Sequence, residues 1–278
     1  MIQDIGEHTF DNQYHPCPPD RESYALYYED HAALVRKYPD RIEFPKFRDI
    51  ERLNEDIYED AVYLFSIDGE RYYLVEEINR ERQSHFTMEN TEIFRYAEPQ
   101  YLAFAGITGY QLHNWYQSRR FCGKCGRRMK KDSKERMLYC ESCHNMEFPK
   151  ICPAVIIGVT DGDKILMSKY AGRTYKKYAL LAGFTEIGET LEETVQREVM
   201  EEVGLKVKNI RYYKSQPWSF TDTLLMGFYC DLDGEAAITL DREELAMAEW
   251  FQRDEIPVEP ERDSITNEMI LRFKNGEV

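Results

Sequence analysis

Apolar and polar positions change period several times along the chain, and each change marks an element. After Pro99, the apolar residues Leu102, Ala105, Leu112 and Trp115 recur at mostly helical spacings, which predicts a helix over residues 100–119. Residues 61–67 and 71–75 alternate loosely around the turn dipeptide Asp68-Gly69 and predict a β-hairpin. Residues 154–159 and 164–168 flank Asp161-Gly162-Asp163 in the same way. Further on, Val195, Val199 and Val203 form an apolar stripe at helical spacing. Thr190 with Glu193 makes a capping box in front of it and Gly204 stands where a helix ends, so residues 191–203 are expected to be helical. Strands over 210–232 and a helix near 265–273 follow. Residues 1–60 are acidic, rich in Tyr and broken by Pro18, Pro19, Pro39 and Pro45, with no catalytic pattern. The pattern implies an α/β (α+β) chain: a mixed α/β domain over 1–117, a cysteine-rich segment over 118–148, and a second α/β unit over 149–278.

Composition narrows the function classes. Hydrophobic residues make up 42% and charged residues 31%, and no apolar run approaches the ~20 residues that span a bilayer. Membrane embedding is excluded on this reading. The opening MIQDIGEHTFDNQYH has neither the basic start nor the apolar block of a secretory signal, which implies a cytoplasmic protein. A net charge of −15 argues against general affinity for a nucleic-acid backbone, which depends on Lys and Arg. It leaves room for a nucleotide-sized substrate if metal ions offset the repulsion.

Four of the seven cysteines fall between Cys122 and Cys143, while Cys17, Cys152 and Cys230 stand alone and read as small apolar residues. Cys122-x2-Cys125 and Cys140-x2-Cys143 have the spacing of two thiolate turns closing on one tetrahedral zinc, with no open position and hence a structural role. Cys140-Glu-Ser-Cys143-His144 also fits the haem-attachment pattern, and either pair fits a redox dithiol, but neither alternative explains the second matched pair. The basic residues Arg119, Arg120, Lys124, Arg127, Arg128, Lys130, Lys131, Lys134 and Arg136 surround the cluster. They read as a counterweight to four thiolates and an acidic neighbourhood, since no aromatic stacking pattern is interleaved with them.

The stretch GFTEIGETLEETVQREVMEEVGL, residues 183–205, holds seven glutamates, one arginine and no lysine. On the predicted helix Glu198, Glu201 and Glu202 stand at i, i+3 and i+4 and share one solvent-facing face, with Glu189 in the loop before. Like charges this close recruit cations, and hard oxygen donors suit Mg²⁺ or Mn²⁺. Arg197 offers a bidentate partner to fix one carboxylate. No histidine follows His144, so a histidine base within the second unit is ruled out.

The same stretch meets every fixed position of the Nudix box, GX5EX7REUXEEXGU, and the chain resembles that superfamily. Ten residues on, Ser215-Gln216-Pro217-Trp218-Ser219-Phe220-Thr221-Asp222-Thr223 resembles the SQPWPFPxS array of NADH pyrophosphatases, with Ser219, Thr221 and Thr223 in place of Pro, Pro and Ser. With the cysteine cluster upstream, the order of parts is similar to that of the bacterial NAD⁺ diphosphatase and NAD-capped RNA hydrolase family. The resemblance implies a Nudix α/β/α sandwich preceded by a zinc ribbon and a divergent N-terminal domain. It implies a homodimer that hydrolyses NAD⁺ or NADH to nicotinamide mononucleotide and AMP, using one structural Zn²⁺ per chain and catalytic Mg²⁺ or Mn²⁺. By position in the box it makes Glu198 and Glu202 principal metal ligands, Glu202 a base as well, and Glu201 a supporting ligand. Ala182 through its carbonyl and Glu244 join the metal set. Glu135, Phe148, Gln216, Pro217, Trp218, Phe220, Thr223 and Thr266 are the implied substrate contacts, Phe148 standing where the family has a stacking Tyr. Removal of an NAD cap from RNA is the same chemistry on a larger substrate. A nucleotide-sensing regulator without catalysis is a rival of another class, against which the intact box counts.

Overall fold

A computed structural model describes residues 1–54, 56–79, 85–172, 177–262 and 264–278. They divide into two compact units, residues 2–150 with 219–221, and residues 151–218 and 222–278 with Met1. Among the described residues no helix is long and apolar enough to cross a membrane.

The second unit is built on one six-stranded mixed sheet. Its order runs Val207–Trp218, Thr223–Leu232, Cys152–Asp161, Lys164–Tyr170, Leu245–Gln252, and Leu181–Phe184 also pairs with Cys152–Asp161. The central pair, Cys152–Asp161 with Thr223–Leu232, is parallel. Side chains alternate across a strand, so Val155, Ile157 and Val159 face one side and Ile156 the other. On the first side they bury with Val195, Val199 and Val203 of the helix Leu191–Val203. On the second, Ile156, Ile165 and Met167 bury with Ile265, Met269, Ile270 and Phe273 of the helix Ile265–Lys274. The result is an α/β/α sandwich. Complete burial of the three valines is worth roughly 1.5–3 kcal/mol each and fixes which face of the glutamate helix meets the sheet. Both expected caps of that helix are present: Thr190 Oγ1 accepts from the Glu193 amide, Glu193 Oε2 accepts from the Thr190 amide, and Gly204 closes the end in the left-handed conformation.

The first unit contains two small sheets, the helix Gln100–Ser118 and the cysteine segment. The hairpin Val62–Ile67 with Glu70–Leu74 is closed by Asp68 and Gly69, both at positive φ. Leu26, Phe65 and Tyr72 of the sheets bury against Phe104, Ile107 and Trp115 of the helix, and Cys122, Met129, Leu138 and Cys140 belong to the same core. The cysteine segment therefore folds as a part of this unit.

His113 of the long helix is enclosed by the rings of Tyr28 and Tyr110, with centroids at 5.3 and 6.4 Å. Burial pushes its imidazole pKa down, opposed by the charge of Glu76. The unfolded ring titrates near ~6.5. Stability from the neutral ring is thus complete above that pH and is lost as pH falls through the lower folded value. Thermal unfolding compared at pH 7.5 and pH 5 should show a smaller acid-induced drop in midpoint for His113→Gln than for the wild type. An equal drop in both proteins would place the acid sensitivity elsewhere.

Candidate metal centre and cysteine site

Arg197 sits at the centre of the acidic stretch. Its Nε donates to Glu189 Oε1 at 2.6 Å and its Nη2 to Glu189 Oε2 at 3.0 Å, a bidentate pair. Nη1 donates to Glu198 Oε1 at 2.7 Å and to Glu201 Oε2 at 2.8 Å, and Nη2 also to the Phe184 carbonyl at 2.9 Å. Glu189 further accepts from the Glu186 amide and the Thr194 hydroxyl. These contacts, Arg197 foremost, hold its carboxyl at about 2, well below the usual range. The loop ahead of the helix is thereby folded back onto the helix.

The acidic face is not uniformly solvent-facing, which corrects the expectation from spacing. Glu198 is 8% exposed and Glu202 only 2%, while Glu201 stays exposed. Burial pushes the Glu198 carboxyl up, Arg197 pulls it down, and Glu201 and Glu244 push it up again. Glu244 thus lies within electrostatic reach of Glu198, although 46 residues later in sequence, in the loop before Leu245–Gln252; its carbonyl accepts from the Ala171 amide at 2.8 Å. Ala182 and Gly183 lie on the strand facing this helix, opposite Ile156 and Val155. A Cβ on Gly183 would fall 1.8 Å from the Glu198 carboxyl carbon and 2.0 and 2.2 Å from its two oxygens. The missing side chain of Gly183 is therefore the seat of the Glu198 carboxylate. A strand without a side chain, hard oxygen donors and one organising guanidinium fit a divalent cation such as Mg²⁺ or Mn²⁺.

On the far strands, Trp218 and Pro217 are half-buried and Thr223 is buried. Gln216 is fully buried, and its Oε1 accepts the Ile265 amide at 2.8 Å. That link to the helix Ile265–Lys274, which carries Thr266, has no signature in the sequence. In the other unit, Phe220 lies under the Arg95 guanidinium at 4.4 Å, Phe148 is 54% exposed, and Glu135 stands exposed in a turn capped by Asp132.

The four cysteine sulfurs lie within 4.8 Å of one another, matching a tetrahedral Zn–S₄ site, in which sulfurs are ~3.8 Å apart. The two turns repeat one hydrogen-bond pattern. Cys122 N–H donates to Arg127 O and Gly126 N–H to Cys122 O, and equally Cys140 N–H to Asn145 O and His144 N–H to Cys140 O. Gly126 (φ 72°) and His144 (φ 58°) occupy the same left-handed position. His144 is thus the turn residue of the second knuckle, which accounts for the haem-like pattern. Amides of Cys143 and Ser142 aimed at the Cys140 sulfur hold its thiol down at about 7, toward the thiolate that zinc requires.

Residues 150–273 match the NUDIX domain family, and residues 117–148 match the NADH pyrophosphatase zinc ribbon domain. The second unit carries a Nudix domain. The chain is 41% identical over 162 residues to the NAD-capped RNA hydrolase NudC of Photorhabdus laumondii, a match covering 58% of this chain and 63% of the relative. It is also 41% identical over 162 residues to NudC of Enterobacter sp. (strain 638), covering 58% and 62%. Each match spans less than two thirds of the relative's own length. A crystal structure of a NUDIX hydrolase from Nitrosomonas europaea, 24% identical, covers 56% of this chain and 90% of its own with a TM-score of 0.49.

Within the Nudix domain, Gly183→Ala should displace Glu198 and weaken Mn²⁺ binding tenfold or more, measured by electron paramagnetic resonance, with the helix retained by circular dichroism. Unchanged Mn²⁺ affinity would show that the Glu198 seat does not matter to the cation. In the ribbon, Cys140→Ser should abolish zinc binding, about one ion per chain in the wild type, and lower the unfolding midpoint. A zinc-free wild type of equal stability would overturn this assignment.

Proposed function

We propose that the chain hydrolyses the pyrophosphate bond of NAD⁺ or NADH to nicotinamide mononucleotide and AMP, as a cytoplasmic homodimer with one structural Zn²⁺ in the ribbon and Mg²⁺ or Mn²⁺ at the Nudix carboxylates. The observation that carries this reading is the carboxylate set of the glutamate helix, held in place by Arg197 and seated on Gly183. The ribbon and the Gln216–Trp218 stretch support a dinucleotide over other pyrophosphates.

Glu198, Glu201, Glu202, Glu244 and the Ala182 carbonyl are the residues that would hold the cation. When bound, it neutralises charge on the pyrophosphate and lowers the pKa of the attacking water. Glu202, enclosed beside the valine stripe, takes the proton of that water as it attacks phosphorus and the bridging oxygen leaves. Arg197 keeps Glu198 and Glu201 oriented throughout. Trp218, Thr223 and Thr266 of this unit bind the substrate.

NAD-capped RNA is a second substrate for the same chemistry. Phe121 and Phe148 of the ribbon are 64% and 54% exposed, and Arg120, Arg127 and Arg128 are exposed as well. Stacking on such rings suits unpaired bases. A comparison of kcat/KM on NADH and on NAD-capped RNA ranks the two substrates.

Glu202→Gln keeps shape and helix but removes a negative ligand and the base. With saturating Mg²⁺ or Mn²⁺ it should lower kcat for NADH by about 10²–10⁴, while the exposed Glu192→Gln changes it less than about threefold. A folded Glu202→Gln protein with wild-type turnover would rule out this use of the carboxylates.

A further inference from the structure

The end of the glutamate helix is capped from outside. The last carbonyls of a helix have no partner within it, and here two of them are met by the loop after the strand Thr223–Leu232. The Thr239 amide donates to Val203 O and the Asp241 amide to Glu202 O, both at 2.9 Å. Gly204 lets that loop come close, since a Cβ there would stand 2.9 Å from Thr239 Cβ. Ile238 and Leu240 pack on the valine core, and the Trp250 indole N–H donates to Ala236 O at 3.2 Å. Residue 241 is thereby fixed to the helix through its backbone.

From there the chain makes a single turn to Leu245, which is buried in the same core. The Leu245 amide donates to Asp241 O at 2.9 Å, and Asp241 Oδ1 accepts from the Glu243 amide at 2.8 Å. An Asp that bonds the amide two residues on forms an Asx turn, which sets the direction of the chain after it. Glu244 sits in this turn with its carbonyl bonded to the Ala171 amide at 2.8 Å, and its charge is one of those that push the Glu198 carboxyl pKa up. Asp241 therefore joins two acids of the proposed cation set. Its amide holds the Glu202 carbonyl, and its carboxylate holds the residue before Glu244.

We propose that Asp241 is a positioning residue: its carboxylate, bonded to the Glu243 amide, aims Glu244 at Glu198 and so completes the cation site from outside the glutamate helix. The inference rests on the reading of Glu198, Glu202 and Glu244 as cation ligands. It adds that the distant acid is placed by a turn hung on the end of the helix that carries the other two. Loss of a partner that orients a ligand typically weakens metal binding about ten- to hundredfold. A substitution at 241 leaves the backbone bonds to Glu202 and Leu245 in place and removes only the side-chain bond.

The test uses the full chain with its zinc and reads Mn²⁺ affinity by electron paramagnetic resonance and amide exchange at Glu243 before Mn²⁺ is added. Asp241→Ala should weaken Mn²⁺ about tenfold and speed Glu243 exchange about tenfold. Asp241→Asn, which keeps an acceptor oxygen and loses the charge, should stay within about threefold of wild type in both. In a Glu244→Gln background, itself weaker for Mn²⁺, Asp241→Ala should cost less than about twofold more. A full tenfold cost in that background would mean that residue 241 acts on the helix and not on Glu244, and would overturn the proposal. Faster exchange with unchanged Mn²⁺ affinity would reduce Asp241 to a turn former and overturn it equally, and so would an Asn variant as weak as the Ala one. Should Asp241→Ala not fold, Asp241→Glu, whose longer side chain carries the oxygen past the Glu243 amide, is read by the same measurements and the same outcomes decide. Unchanged Mn²⁺ affinity in Glu244→Gln alone would remove Glu244 from the cation set, a failure of the underlying reading that takes this proposal with it. A chain that binds Mn²⁺ as expected yet leaves NADH intact would defeat the assigned activity and not the role of Asp241, since neither measurement uses substrate.

Discussion

A guanidinium carries five N–H donors in a rigid fork, and Arg197 uses them in five hydrogen bonds: two to Glu189, one each to Glu198 and Glu201, and one to the Phe184 carbonyl. The loop and helix around it concentrate seven glutamates in 23 residues, and without an internal cation their repulsion would drive the loop over 184–190 away from the helix. Arg197 converts that repulsion into a fixed geometry. It bends the loop back through Glu189 and ties the helix to the end of the Gly183 strand. It also sets Glu198 and Glu201 on a shared nitrogen, so that the two carboxylates are ordered relative to each other. A lysine, with a point charge and three donors, has neither the reach nor the planar fork to do this.

The valine stripe supplies the second constraint. Val195, Val199 and Val203 are fully buried against the sheet, which sets the rotation of the helix. Glu198 and Glu202 lie one position from valines of that stripe, fall at its border and are buried, whereas Glu201 stays exposed. Burial raises the electrostatic stake of each carboxylate, because a charge removed from water needs a partner. Arg197 serves that need for Glu198. The same geometry explains why position 183 carries no side chain, since any Cβ would occupy the volume of the Glu198 carboxyl group.

Sequence reasoning reached the glutamate helix, its caps and its stripe because all three depend on residues within a turn or two of each other. The helix observed over Leu191–Val203 matches the predicted bounds, and the hairpin around Asp68-Gly69 and the helix over Gln100–Ser118 formed as their local patterns imply. The burial of Glu198 and Glu202 was not legible, because a periodic pattern locates the apolar stripe but not where the sheet stops covering its margin. The cysteine spacing showed four converging sulfurs. The equivalence of Gly126 and His144 needed backbone dihedrals, and it is what separates a second zinc knuckle from a haem motif. Nor did spacing show that Cys122 and Cys140 share a core with Phe65, since that packing joins residues more than fifty positions apart.

Two kinds of encoding meet in the Nudix unit, on opposite faces of one sheet. The carboxylate side is specified mostly by residues 183–204, a contiguous stretch whose internal contacts define it, with Glu244 acting on Glu198 from a distance in sequence. The other side is assembled from separate stretches: Gln216 with Ile265, Tyr213 with Glu268, and Trp218 opposite Thr223. A local code tolerates little change, because each residue of it has several partners within the same stretch. A distributed code tolerates more, because a turn such as 219–222 can alter while the flanking strands keep their register. Ser219, Thr221 and Thr223, where the chain departs from the SQPWPFPxS array, all fall in or beside that turn, and every fixed position of the box is kept. The carboxylate side is thus held by short-range contacts and the opposite side by long-range ones, so the two can change independently.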